Sequence, residues 1–112
     1  MTVSELAERF GFQIIAAPEP GREIEGGYVG DLLSWVMGRA RSGNVWITIM
    51  SNVNVLAVAS LSDVSAVLLA EGVALEPGYV QTALEKGVNV LSTDLSAFEA
   101  AARIAEAVRP AS

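Results

Sequence analysis

Residues 44–72 read NVWITIMSNVNVLAVASLSDVSAVLLAEG, an almost unbroken apolar stretch with Thr48, Ser51, Asn52 and Asn54 gathered near its middle. Its two ends have strand character. "VWITIM" (45–50) is β-branched and aromatic, and "VSAVLL" (64–69) is a short apolar run of the kind a parallel sheet buries on both faces. The segment between them decides the fold. If "SNVNVLAVASL" (51–61) is a strand, the stretch is a hairpin turning at Ser51 and Asn52; if it is a buried helix, the stretch is a βαβ crossover. Periodicity leaves both open, because so short an apolar run fits either.

Downstream the pattern is clearer. "VNVLST" (88–93) reads as a further buried strand, and "EPGYVQTALEKG" (76–87) before it has Pro77 suited to a first helical turn and Gly87 to a C-cap, which makes one βαβ unit. "STDLSAFEAAARIAEAV" then opens a C-terminal helix over 96–108. Ser96 is its N-cap, Glu99 stands at the reciprocal position, and Phe98, Ala101, Ala102, Ala105 and Val108 form the expected core face. Upstream, "TVSELAERFG" carries a capping box in Thr2 and Glu5 and a stop in Gly11, predicting a short amphipathic helix over 2–10. "FQIIAA" (12–17) reads as a buried strand. "PEPGREIEGG" (18–27) reads as a loop with a short extended piece at Glu23 to Glu25. Asp31 is placed to cap "DLLSWVMGRA" (31–40), whose apolar residues cover more than one helical face and so predict packing on two sides.

These elements amount to a single α/β domain over residues 1–112, in two or three layers, with a mostly parallel sheet and βαβ crossovers. With 52% hydrophobic and 18% charged residues the chain can bury a modest core. Thirteen Asp and Glu against seven Lys and Arg give a net charge of −6, which repels phosphate backbones and argues against nucleic acid as a partner. The sequence has no Cys and no His, which removes thiolate nucleophiles, imidazole bases and most transition-metal sites; no metal or cofactor is expected. The apolar runs fall short of the roughly 20 residues a membrane span needs, and the acidic start lacks the order of a signal peptide. The expectation is a cytoplasmic protein.

The segments "GGYVGDLLSWVMGRA", "VWITIMSNVNVLAVASL" and "VNVLSTDLSAFEAAARI" resemble the DRTGG domain family, in particular its small stand-alone members, from about Gly26 to Ile104. Larger members carry this domain beside CBS domains or in phosphotransacetylases, and the N-terminal domain of HPr kinase is similar in fold. The resemblance implies that residues 52–60 are helical, which gives β-α-β-α-β-α topology with right-handed crossovers over the last two thirds of the chain. Where the family has Gly-Asp-Arg, this sequence has Ser51, Asn52 and Val53; where it has Thr-Gly-Gly, it has Ala70, Glu71 and Gly72, so only Gly72 is kept. The phosphate-cradling G-x-x-x-x-G-K-[ST] is missing and Lys86 follows no glycine-rich turn, so kinase activity is not implied.

In a parallel sheet, ligands bind beyond the carboxyl ends of the strands, where loops and helix N-termini converge. That edge would collect Thr48, Ser51, Asn52 and Asn54 from one loop, Glu71 and Gly72 from the next, and Ser92, Thr93 and Asp94 from the third. The functional reading is a pocket for a small polar molecule such as a nucleotide. The structural reading is helix capping, for which the same residue types serve. Asp31 with Ser34 reads as a cap rather than an activated hydroxyl. Tyr28, Leu32, Trp35 and Val36 form a candidate interface for a homodimer or for a protein partner; family context implies redox or signalling partners. The expected role is a non-catalytic regulatory, ligand-sensing domain, with a structural dimerisation or interaction module as the alternative.

Overall fold

A computed structural model describes residues 1–108. The decisive middle segment is a helix: Val53–Ser62 is α-helical, with Asn52 as N-cap accepting from the Asn54 amide at 2.9 Å and Asp63 in the left-handed conformation closing it. The flanking runs become strands Val45–Thr48 and Ala66–Leu69, paired in parallel, so the stretch is a crossover and not a hairpin.

In chain order the elements are α1 (Val3–Phe10), β1 (Gln13–Ala16), β2 (Gly27–Val29), α2 (Leu33–Arg39), β3 (Val45–Thr48), α3 (Val53–Ser62), β4 (Ala66–Leu69), α4 (Val80–Lys86), β5 (Val90–Ser92) and α5 (Ala97–Ala107). The sheet order is β1-β5-β4-β3-β2, parallel throughout except that β1 runs antiparallel to β5. Pleating sends alternate residues to opposite faces. Trp46, Val67, Leu69 and Val90 meet Val36, Val55, Leu56 and Ala83, so α2, α3 and α4 cover one face. Val45, Ile47, Ala66, Leu68 and Leu91 meet Val3, Leu6, Ala100 and Ile104, so α1 and α5 cover the other. The domain therefore has three layers, and β3 and β4 are buried along their whole length.

Local chemistry explains the element ends. The Thr2 hydroxyl accepts from the Glu5 amide at 3.1 Å while the Glu5 carboxylate accepts from the Thr2 amide at 2.9 Å, completing the capping box that starts α1. Those bonds hold the Glu5 carboxyl below its ordinary pKa. A 3-10 turn at Pro77–Tyr79 leads into α4, which ends at Gly87.

Several expectations need correction. Asp31 does not cap α2: Leu32 holds the N-cap position without a side-chain bond, and the Asp31 carboxylate instead accepts from Thr48 Oγ1 at 2.7 Å and the Ile49 amide at 3.0 Å. Gly27–Val29 is a strand where the glycines suggested a loop, because parallel pairing with β3 needs only three residues there. β1 is not doubly buried. It lies at the sheet edge with Gln13 and Ile14 exposed. In α5 the buried face falls on Ala100 and Ile104, leaving Ala102 and Ala105 exposed and Phe98 83% exposed. Small alanines let the helix turn either face inward, so its periodicity did not fix the rotation. Ser96 accepts from the Glu99 amide at 3.1 Å, while the Glu99 carboxylate pairs with Arg103 at 3.6 Å. In α2 only Val36 is buried, so the helix packs on one side and presents Leu32, Trp35 and Met37 outward.

Candidate functional site

The crossovers determine where a site can form. The chain leaving β4 passes to α4 on one face of the sheet, whereas the chain leaving the adjacent β5 passes to α5 on the opposite face. Where neighbouring strand exits part in this way, a crevice opens beyond the strand ends. The structure has such a cleft, of about 600 Å³, lined by Gly72 to Leu75 after β4, by Ser92 to Leu95 and Glu99 after β5, and by Gly11, Gln13 and Ile15 from the antiparallel edge.

Its floor is stitched by backbone hydrogen bonds between the two exits. The Thr93 amide donates to the Leu69 carbonyl at 2.9 Å, Gly72 to Thr93 at 3.0 Å and Glu71 to Leu95 at 2.8 Å. This last pair of bonds needs two successive left-handed residues, Glu71 at φ 60° and Gly72 at φ 73°. At Gly72 the requirement is also steric, because a Cβ there would stand 3.3 Å from an Asp94 carboxylate oxygen. The glycine kept from the family pattern thus holds the two loops together at the mouth of the cleft. Thr93 Oγ1 accepts from the Leu95 amide at 3.2 Å and shapes the turn into α5.

The candidate residues divide into two groups. Gly72, Ser92, Thr93 and Asp94 line the cleft together, and Glu71 adjoins it through its backbone. Thr48, Ser51, Asn52 and Asn54 are not in the lining. Thr48 is buried, donates its hydroxyl to Asp31 and accepts from the Met50 amide at 3.2 Å; Asn52 caps α3, and Asn54 occupies its exposed first turn. Among the interface candidates, Leu32 (57%) and Trp35 (52%) are exposed, Tyr28 is half-buried, and Val36 lies wholly within the core. The Arg39 guanidinium sits 3.7 Å above the Trp35 ring.

Sequence reasoning did not reach Gln13, Ile15 and Glu99. Gln13 and Ile15 enter because β1 folds back beside β5, a pairing between residues far apart in the chain that leaves no local signal. Electrostatically the lining carries Asp94 and Glu99 and neither Lys nor Arg. It offers hydrogen-bond acceptors and hydroxyls beside the apolar Ile15, Val73, Leu75 and Leu95, and no cation for a phosphate. Among the described residues no group of three Asp or Glu could hold a metal ion, and no helix is long and apolar enough to cross a membrane.

A three-layer α/β module with a cleft where its strand exits part is the class this geometry defines. The chain belongs to the DRTGG domain family, whose model matches residues 4–107. It is similar in fold to the crystal structure of the CBS and DRTGG domains of the regulatory region of Clostridium perfringens pyrophosphatase, determined with its activator diadenosine tetraphosphate. The TM-score is 0.70 at 14% identity, over 90% of this chain and 44% of that one. This chain therefore spans less than half of that regulatory region. No match is found among curated proteins.

Proposed function

We propose that this chain is a non-catalytic regulatory module of the cytoplasm that senses a small polar ligand in the cleft between the exits of β4 and β5 and works as a homodimer. The observation that carries this reading is the cleft itself: about 600 Å³ at the one place where adjacent parallel strands send their helices to opposite faces. Membership of a family found in a nucleotide-activated regulatory region supports a sensing role. With neither His nor Cys, the chain lacks the usual general bases and nucleophiles.

The lining narrows the ligand. Asp94 and Glu99 accept hydrogen bonds and repel anions, so a nucleotide would enter by its base or sugar, whose N–H and O–H groups donate to those carboxylates. Its phosphates would stay in solvent. Thermal melting against adenosine, guanosine and their phosphorylated forms, with and without magnesium, tests the reading. A ligand at ~100 times its Kd adds about 2.7 kcal/mol, a rise of roughly 10 °C for a domain of this size. Asp94→Asn should abolish the rise, and the nucleoside should suffice for it. No shift across the panel, or an undiminished shift in the variant, would refute the reading.

A second reading is a protein-interaction module for a redox or signalling partner. It is favoured by α2 and its N-cap, which expose Leu32, Trp35 and Met37.

A further inference from the structure

The motif "GGYVG" (26–30) plays no part in the cleft. It forms β2, the outermost strand, paired on one side with β3 and on the other with nothing among the described residues. On the paired side the Gly26 carbonyl accepts from the Val45 amide at 3.0 Å and the Gly30 amide donates to the Ile47 carbonyl at 3.2 Å. Alternation then turns the N–H and C=O groups of Gly27 and Val29 away from the sheet. Beside them, on the face covered by α5, runs an open groove of about 320 Å³ whose walls include Gly27, Val29, Ile47, Ala101, Ile104 and Ala105. Its walls are small here, Gly27 on the strand facing Ala101 and Ala105 on α5.

We propose that a second copy of this chain docks on this edge, its β2 antiparallel to the first about a two-fold axis at Tyr28, which continues the sheet across both subunits. The inference rests on the homodimer reading above and specifies its interface. In this register Gly27 of each copy faces the partner's Val29. Each such pair exchanges two backbone hydrogen bonds, and all four outward groups of the strand are satisfied. Opposed residues in an antiparallel pair project to the same face. The partner's Val29, a side chain left 50% exposed in the single chain, therefore projects over Gly27 into the apolar groove. The register also sets Gly26 against the partner's Gly30, two residues with no side chain of their own.

Charge does not oppose this occupant at the groove. A chain of net charge −6 repels its own copies over most of its surface, yet every residue lining this groove is uncharged. Further along the register Glu25 faces the partner's Asp31, and the Asp31 carboxylate is drawn inward onto Thr48 and the Ile49 amide, away from the edge.

Sedimentation velocity of the 112-residue chain between about 5 and 200 µM tests the proposal. Val29→Pro removes an N–H that faces away from β3, a change an edge strand tolerates, and Ala105→Glu places a charge in the groove from an exposed helical position. Each should weaken the dimer by ~100-fold or more while far-UV circular dichroism stays that of wild type. If wild type is monomeric throughout, the homodimer reading falls and this proposal with it. If wild type and both variants dimerise equally while Trp35→Glu is monomeric, only the edge proposal falls, and the dimer forms through α2.

Discussion

Gly72 joins backbone strain, loop closure and the candidate site in one residue, and its substitution has separable consequences. Gly72→Ala forces a side chain into the left-handed region at φ 73°, where the penalty for an L-residue, less the entropy that alanine removes from the unfolded chain, nets about 1 kcal/mol. A second contribution comes from the new Cβ at 3.3 Å from the Asp94 carboxylate. Asp94 is exposed and able to yield, so this contact adds only about 0.5 kcal/mol. Gly87 supplies the control: it has φ 70° and nothing within 4 Å of where an alanine Cβ would stand, so Gly87→Ala reports the backbone penalty alone. Urea unfolding should rank wild type above Gly87→Ala and Gly87→Ala above Gly72→Ala, with the last losing about 1.5 kcal/mol, or roughly 6–9 °C in Tm. In an Asp94→Ala background the excess at Gly72 should vanish. Gly72→Ala as stable as wild type would refute the reasoning, because the left-handed turn would then not be what brings the Glu71 and Gly72 amides onto the loop after β5.

Two further outcomes follow from groups outside the cleft. Asn89, buried at the start of β5, accepts from the Glu19 amide at 3.0 Å and donates to the Glu19 and Ser65 carbonyls at 2.7 and 2.9 Å, tying the loop after β1 to the sheet. Asn89→Ala should cost about 3 kcal/mol in urea unfolding at roughly 1 kcal/mol per bond, and a loss under about 1 kcal/mol would mean that the loop is held by other contacts. At the same end of the sheet, before β4, the Arg22 guanidinium 2.8 Å from Asp63 and the hydrogen bond from Ser42 hold the Asp63 carboxyl below its ordinary value of 3.8. A lowered folded pKa gives stability that is fully present above that value and is lost as pH falls through the folded pKa. Wild type should therefore lose more of its urea midpoint than Asp63→Asn between about pH 5 and about pH 2.5, Asn being suited to the left-handed φ of 56°. Equal losses would show that the pair contributes nothing in solution.

The fold was legible where sequence signals are local. Capping chemistry at Thr2 and Ser96, the Gly87 stop and the β-branched runs at 45–48 and 66–69 each act within a few residues of where they are read. Residues 53–62 were not legible in this way. Helix α3 is apolar on almost every side because it lies between α2 and α4 against the sheet, and burial of this kind erases the periodicity that separates helix from strand. Resemblance to a family supplied the helix. β2 was missed for the opposite reason: a three-residue segment that starts on the second of two glycines has turn composition, and only pairing with β3 makes it a strand.

The same distinction governs the cleft. Ser92, Thr93 and Asp94 could be read as an edge cluster because a β-strand followed by hydroxyl and carboxylate residues before a helix is itself a local pattern. Whether such a cluster caps a helix or faces a cavity depends on which side of the sheet the next helix takes, and no short segment encodes that choice. After β3 and after β4 the chain takes one side, so the loop after β3 closes over its own helix, with the Thr48 hydroxyl spent on Asp31 and the Asn52 side chain on the α3 N-terminus. After β5 it takes the other, drawn by the burial of Ala100 and Ile104 against Ile47 and its neighbours. Two loops of similar composition thus differ in whether they line the cleft because two alanine-rich turns of α5 find their apolar partners across the sheet. The position of the cleft is decided by the packing of a helix that does not form its walls beyond the first turn.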